Sequence, residues 1–267
     1  MSRVIIPNSH RHFDSASAVE CQKLGCLILH GFTSHADSVN RVPVRLAPYH
    51  VPYRMPYLRG HGTQPEDLRG VTWHDWYADA RAALHDLRRD VDQVVVIGLS
   101  MGGLVANHLT AAHPNDIVGV VSVAAALRFY HKHADRARYV APFLPMWGDE
   151  NRDMGVGWHD QETGRLHGNY RRFPPRTFVS LWKYARVVER QLPRITQPIL
   201  VMHSRADRTI PLQAAQIIYD RVSSSDKELI IFEHSGHEML RDSESSAVLD
   251  QIEAFVQRLI EQPNNKE

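Results

Sequence analysis

Short apolar runs alternate with amphipathic stretches along this chain. Leu24–Leu29 (LGCLIL), Val94–Ile97 (VVVI), Ile117–Val123 (IVGVVSV), Pro198–Met202 (PILVM) and Leu229–Phe232 (LIIF) are continuous and rich in branched side chains. A strand covered on both faces reads this way, whereas a half-exposed strand alternates, so the five runs predict parallel strands with helices on either side. Val51–Leu58 is a weaker strand candidate because it holds two prolines. Between the runs, Trp73, Trp76, Tyr77, Ala80, Ala83, Leu84 and Leu87 fall on one helical stripe, and Leu104–Ala112 reads as a second helix. Val248, Leu249, Ile252, Phe255, Val256, Leu259 and Ile260 form the stripe of a last helix. Strand–helix–strand order throughout predicts an α/β fold with a doubly wound, mostly parallel sheet.

The pattern breaks from residue 125 to 193, a region rich in Arg, His, Pro and aromatics that offers no convincing strand. Ala134–Val140 and Thr177–Gln191 read as helices and Gly148–Gly168 as loop. The expected organisation is therefore a core of residues 1–124 and 194–267, with 125–193 as a small helical cap. In open α/β sheets ligands sit at the carboxyl ends of the strands, which is where such an insertion would lie. Arg3–Gln22 is too polar for a first strand and is left unassigned; Gln262–Glu267 is expected to fray.

At 267 residues, 43% hydrophobic and 23% charged, the chain suits one α/β domain carrying an insertion. A net charge of +1 argues against a dedicated nucleic-acid binder. The charge is uneven, however: residues 125–195 hold 13 Lys and Arg against 7 Asp and Glu. The two cysteines, Cys21 and Cys26, have neither metal nor redox spacing and are compatible with a reducing cytoplasm. The opening MSRVIIPNSHRHF lacks the apolar core of a signal peptide, and no run of 18 apolar residues exists, so a cytoplasmic chain without a membrane span is expected. A homodimer is compatible with this composition.

The chemistry is carried by Gly98-Leu99-Ser100-Met101-Gly102, a G-x-S-x-G pattern between a strand and a helix. That context is what gives the pattern weight: a tight corner aims the hydroxyl off the sheet edge, and small neighbours let strand and helix approach. A serine at its free pKa needs a base. Of 17 histidines, His237 is favoured because Ser235-Gly236-His237 falls between the last strand and the last helix, with His234 its nearest competitor. The orienting carboxylate is expected from Asp207, just past the strand at Pro198–Met202, giving the chain order Ser, Asp, His. Glu233, Glu238 and Asp242 are rivals that sit too near His237 in sequence. A tetrahedral intermediate also needs preorganised N–H donors, for which Met101 and Phe32, in His30-Gly31-Phe32-Thr33, are the candidates. His30 and Arg59-Gly60-His61-Gly62 are expected to support loops, and Trp73 and Trp76 to pack the core.

Taken together, HGFTSH, RGHG, the Asp75-Trp76 pair, GLSMGG, LVMHSRADRTIP and FEHSGH resemble bacterial carboxylesterases and monoacylglycerol lipases of the α/β-hydrolase fold. The resemblance runs from about Leu24 to Phe255, most of the insertion excepted. It implies a Ser100, Asp207, His237 triad, an oxyanion hole from Phe32 and Met101, a helical cap over an acyl pocket, and neither metal nor organic cofactor. The expected reaction is hydrolysis of a small-molecule ester or monoacylglycerol through an acyl-enzyme on Ser100. Phe143, Leu144, Met146, Trp147 and Trp182 are candidates to line the acyl channel, and the basic insertion suggests attraction of anionic substrates or an anionic lipid surface. The same triad serves C–C bond hydrolases, amidases and acyltransferases, which only a substrate panel separates. A slow-turnover ligand sensor is the remaining alternative, separated by a multiple-turnover assay.

Overall fold

The computed structural model describes residues 24–130, 139 and 141–261. Arg3–Gln22, Cys21, most of Ala134–Val140 and the tail Gln262–Glu267 lie outside the described residues. Six strands form one parallel sheet: β1 (Leu24–Leu29), β2 (Tyr53–Arg54), β3 (Gln93–Leu99), β4 (Ile117–Val123), β7 (Ile199–Ser204) and β8 (Lys227–Phe232), in the order β2-β1-β3-β4-β7-β8. The order reverses at β1, where β1 pairs with both β2 and β3. Successive strands in space are mostly joined through helices, as parallel pairing demands.

The continuous apolar runs follow from the two cores on either side of this sheet. Leu27, Leu29, Val94, Val96, Ile199 and Val201 face a core shared with α2 (Trp73–Leu87), α3 (Met101–Ala112), α5 (Pro175–Gln191) and α6 (Gln213–Arg221). The alternating partners Cys26, Ile28, Val95, Ile97, Leu200 and Met202 face a second core shared with α1 (Arg41–Leu46) and α7 (Ser245–Glu261). The four inner strands β1, β3, β4 and β7 leave almost no residue to water, so alternation disappears from their sequence. Trp76 is fully buried on α2 and donates from Nε1 to the Arg59 carbonyl (3.1 Å), while Asp75 closes a capping box with Thr72. No helix among the described residues is long and apolar enough to cross a membrane.

Four elements differ from expectation. The strand foreseen over Val51–Leu58 shrinks to Tyr53–Arg54, because Pro52 and Pro56 have no N–H for a ladder. Inside the foreseen loop Gly148–Gly168, Gln161–Leu166 forms a short helix, α4, capped by Asp160: its carboxylate accepts from the Thr163 N–H (3.1 Å) and hydroxyl (2.6 Å). The same region also contains an antiparallel pair of two-residue strands, β5 (Trp147–Gly148) with β6 (Arg172–Phe173). Helix α5, foreseen from Thr177, begins at Pro175, whose missing N–H costs nothing in a first turn. It docks on the core through Thr177 Oγ1 to the Leu68 carbonyl (2.7 Å), and Tyr184 stacks on Trp73 with centroids 4.8 Å apart.

The corner between β3 and α3 has no room for side chains. A Cβ at Gly98 would overlap the Gly102 carbonyl, and one at Gly102 would overlap the Leu29 carbonyl. Gly98→Ala is therefore expected to cost about 1–3 kcal/mol of overpacking, a fall in Tm of about 2–4 °C per kcal/mol for a chain of this size. Thermal unfolding followed by circular dichroism checks this; an unchanged melt would show that the corner can relax.

Candidate active site

Everything at the carboxyl edge of the sheet is arranged around the β3–α3 corner. Ser100 sits there with φ 57° and ψ −115°, a conformation that L-residues rarely adopt. Its backbone is held on both sides: the Ser100 N–H donates to the Val123 carbonyl (2.9 Å), and the Ser100 carbonyl accepts from Ala126 N–H (3.1 Å). The residue is 8% exposed, so the hydroxyl is reachable yet enclosed.

The loops after β7 and β8 deliver the other two predicted residues. His237 Nε2 lies 2.8 Å from Ser100 Oγ, and His237 Nδ1 lies 2.7 Å from Asp207 Oδ2. The second Asp207 oxygen accepts the backbone N–H groups of Thr209 (2.7 Å) and Ile210 (2.9 Å). Burial disfavours the His237 imidazolium, but the facing Asp207 carboxylate, through its charge and hydrogen bond, outweighs this and raises the imidazole above its ordinary range. Burial likewise pushes the Asp207 carboxyl up, and the His237 charge and hydrogen bond overcome it, leaving the group below the usual carboxylate range. Among the rivals, His234 donates its backbone N–H to Glu244 (2.7 Å), and Glu233 pairs with Arg205 (3.0 Å).

The loop after β1 lies against the same hydroxyl. A Cβ at Gly31 would stand 3.3 Å from Ser100 Cβ and 3.8 Å from its Oγ, which brings the Phe32 backbone beside the corner. Two histidines fix this loop. His30 Nε2 accepts the Leu58 N–H (3.0 Å) and its Nδ1 faces the Gly31 carbonyl (2.8 Å). His61 Nε2 accepts the Thr33 N–H (3.1 Å), and its Nδ1 faces the Leu58 carbonyl (3.0 Å). An imidazole that accepts at one nitrogen and meets a carbonyl at the other is neutral. Burial enforces that state by lowering His30 to about 4 and His61 to about 3.

The insertion is fastened to both catalytic-edge loops. Tyr170 donates its N–H to the Thr33 carbonyl (2.8 Å), and its hydroxyl accepts the Thr63 N–H (2.9 Å). On the histidine side, the buried Asp242 carboxylate accepts four backbone N–H groups: Gly236 (2.5 Å), His159 (2.9 Å), Asp160 (2.7 Å) and Ser243 (2.8 Å). One carboxylate thus joins the segment before His237 to the insertion. Sequence reasoning had weighed Asp242 only as a rival to Asp207. It had also passed over His203, which is fully buried, faces the Ile210 carbonyl (3.0 Å) and lies 3.7 Å from Asp207 Oδ2.

The aromatic residues beside the corner are mostly not those foreseen. Phe32 meets Phe173 edge-on (5.1 Å), Phe173 lies 5.9 Å from Phe178, and Phe178 meets Phe129 (5.3 Å). Of the five foreseen lining residues, Trp147 approaches this group, 6.5 Å from Phe173. Phe143 is 84% exposed, Leu144 is exposed, and Met146 is half-buried. Trp182 is half-buried with the Arg186 guanidinium 3.7 Å over its ring. Among the described residues, no group of His, Cys, Asp and Glu is arranged to hold a metal ion.

The family model described as serine aminopeptidase, S33 (Hydrolase_4) matches residues 21–244. A thermostable monoacylglycerol lipase of Bacillus sp. (strain H-257) is 28% identical over 232 residues, covering 87% of this chain and 90% of the relative. A carboxylesterase of Bacillus subtilis (strain 168) is 26% identical over 234 residues, covering 87% and 92%. Among solved structures, one reported with LipS and LipT, two metagenome-derived lipolytic enzymes, superposes with a TM-score of 0.80 at 27% identity over 89% of this chain and 94% of that one.

The electrostatics of the His237–Asp207 pair generate a direct expectation. In an NMR titration, the His237 ring should change protonation above the ordinary histidine value of about 6.5. In Asp207→Asn, burial acts with only the smaller pull of Glu238 against it, so the midpoint should fall below the wild-type value. Equal midpoints in the two proteins would mean that the carboxylate does not govern the ring.

Proposed function

Since the chain belongs to the serine aminopeptidase S33 (Hydrolase_4) family, we propose that it cleaves carboxylic esters through an acyl-enzyme on Ser100. It is a serine hydrolase of the α/β-hydrolase fold and of the esterase and lipase kind. The observation that carries the assignment of residues is the unbroken chain of hydrogen-bond distances from Ser100 through His237 to Asp207.

Ser100 Oγ attacks the ester carbonyl while His237 Nε2 takes its proton. In this reading the oxyanion rests on the backbone N–H groups of Phe32 and Met101, as preorganised donors would serve it. His237 then returns the proton to the leaving alcohol oxygen. A water molecule, deprotonated in turn by His237, attacks the acyl carbonyl and releases the acid. Throughout, Asp207 holds the proton-bearing Nδ1 and stabilises the imidazolium, while Thr209 and Ile210 keep the carboxylate from turning.

Residues 125–193 act in this reading as a cap. Support comes from their attachment to the Thr33 loop through Tyr170 and to the His237 loop through Asp242. Phe32, Phe129, Phe173 and Phe178 then offer an apolar wall for the acyl chain on the Phe32 side. Monoacylglycerols and carboxylic esters are the substrates suggested by the relatives' names. A reducing compartment such as the cytoplasm suits Cys26, a free and fully buried thiol.

The test is a panel of monoacylglycerols and p-nitrophenyl esters of rising acyl length, with an aminoacyl p-nitroanilide alongside. Ester turnover should exceed amide turnover. Ser100→Ala and His237→Ala should each lower kcat by about 10⁴–10⁶, and Asp207→Asn by about 10⁴. Wild-type turnover in Ser100→Ala would end the reading.

A further inference from the structure

His237 is carried by a loop, and that loop is gripped on both sides of the residue by one stretch of the insertion. Before it, Gly236 donates its N–H to the buried Asp242 carboxylate (2.5 Å), which also accepts the N–H groups of His159 (2.9 Å) and Asp160 (2.7 Å). A Cβ on Gly236 would overlap the Gly157 carbonyl, so the two backbones are in contact there. After it, the buried Glu238 carboxylate accepts from Asn169 Nδ2 (2.9 Å), and His167 Nε2 lies 3.8 Å from its other oxygen. Gly157, His159, Asp160, His167 and Asn169 all flank the short helix Gln161–Leu166. A tight turn makes the grip possible. The Glu238 carbonyl accepts the N–H groups of Arg241 (2.8 Å) and Asp242 (3.1 Å), which folds Asp242 back onto Gly236.

The sheet reaches this loop at Ser235, whose carbonyl accepts from Ser204 Oγ on β7 (2.5 Å). Gly236 and Glu238, the two neighbours of the base, are reached from the insertion. Buried carboxylates are costly unless their hydrogen bonds are made. If the insertion lifted away, Asp242 would lose two of its four donors and Glu238 would lose Asn169. The geometry at stake is the 2.8 Å approach of His237 Nε2 to Ser100 Oγ. We propose that Asp242 and Glu238 are positioning residues through which the docked insertion sets the place of the His237 imidazole; this rests on the reading of Ser100, His237 and Asp207 as an ester-cleaving triad. The insertion then supports the base as well as covering the acyl wall. Lifting it would disarm His237 even toward an ester too small to touch it.

The test compares p-nitrophenyl acetate with p-nitrophenyl decanoate, with kcat counted per site titrated by a fluorophosphonate. Asp242→Asn keeps the shape of the side chain and removes the charge that four N–H groups share. It should lower kcat per site by about 10–100-fold, and by the same factor for both esters, because a base displaced by about 1 Å is slow toward any substrate. In proton NMR, the low-field Nδ1 proton that His237 shares with Asp207 should shift or broaden in this variant. A loss confined to the decanoate overturns the proposal, since the insertion would then act through substrate contact alone. A lower Tm with wild-type kcat per site and an unmoved His237 signal also overturns it, since the role would then be structural. Should Asp242→Asn fail to fold, Asn169→Ala removes a donor from the insertion alone and should lower kcat per site by about fivefold; wild-type kcat there overturns the proposal. Hydrogen exchange on the wild-type protein needs no variant. The amides of Gly236, His159 and Asp160 should be equally protected, as members of one opening unit. Much weaker protection of His159 and Asp160 than of Gly236 would show the insertion parting from a base loop that stays in place, and overturns the proposal. Failure of the triad reading looks different: Ser100→Ala would keep wild-type turnover, with the exchange pattern unaffected.

Discussion

One tight corner, at Ser100, governs the architecture of the site. A residue with φ 57° joins a strand to a helix that approach so closely that Gly98 and Gly102 admit no side chain. Such a conformation costs on the order of 1–3 kcal/mol and persists only where its surroundings overdetermine it. Here the surroundings are the Val123 and Ala126 hydrogen bonds, the Leu29 carbonyl lying over Gly102, and Gly31 packed against the Ser100 Cβ. The strand order brings the loops after β1, β4, β7 and β8 to one edge, so the strain falls where base, carboxylate and backbone donors converge.

Burial sorts the histidines of this chain by what they face. His30 and His61 face backbone carbonyls and amides, and burial leaves them neutral and fixed as loop supports. His203 is buried under Asp207 and is likewise held below its ordinary range by burial. His237 faces a carboxylate at hydrogen-bonding distance, and there the balance tips the other way. Desolvation is common to all four; a partner at 2.7 Å separates the ring that can carry a proton in the reaction from those that cannot. Asp242 adds a mechanical constraint, since four N–H groups from two segments meet on its carboxylate and tie the base's loop to the insertion.

The sheet and the corner were legible because their causes are local in sequence. Two-sided burial writes itself as runs such as VVVI, and a tight strand-to-helix turn writes itself as Gly98, Ser100 and Gly102. His237 and Asp207 could be placed because each follows a strand and so shares an edge with Ser100. The insertion was less legible because its order comes from contacts between distant segments. Phe129, Phe173 and Phe178 lie in three stretches with no common period and meet only in space. Gln161–Leu166 is too short for a hydrophobic stripe, although Asp160 ahead of Thr163 is a capping signal that went unread. The Asp242 hub has no sequence signature, since the groups it accepts are backbone amides. Phe143 and Leu144 looked like channel residues from hydrophobicity alone, which does not say whether a side chain turns inward.

The most direct test of the account is a rapid-quench experiment with a slowly deacylating ester, read by intact-protein and peptide mass spectrometry. The account predicts a burst of one alcohol released per protein chain, with the acyl mass on the peptide that contains Ser100. An acyl group mapped to another residue, or steady hydrolysis in which a slow substrate leaves no covalent intermediate on Ser100, would contradict it.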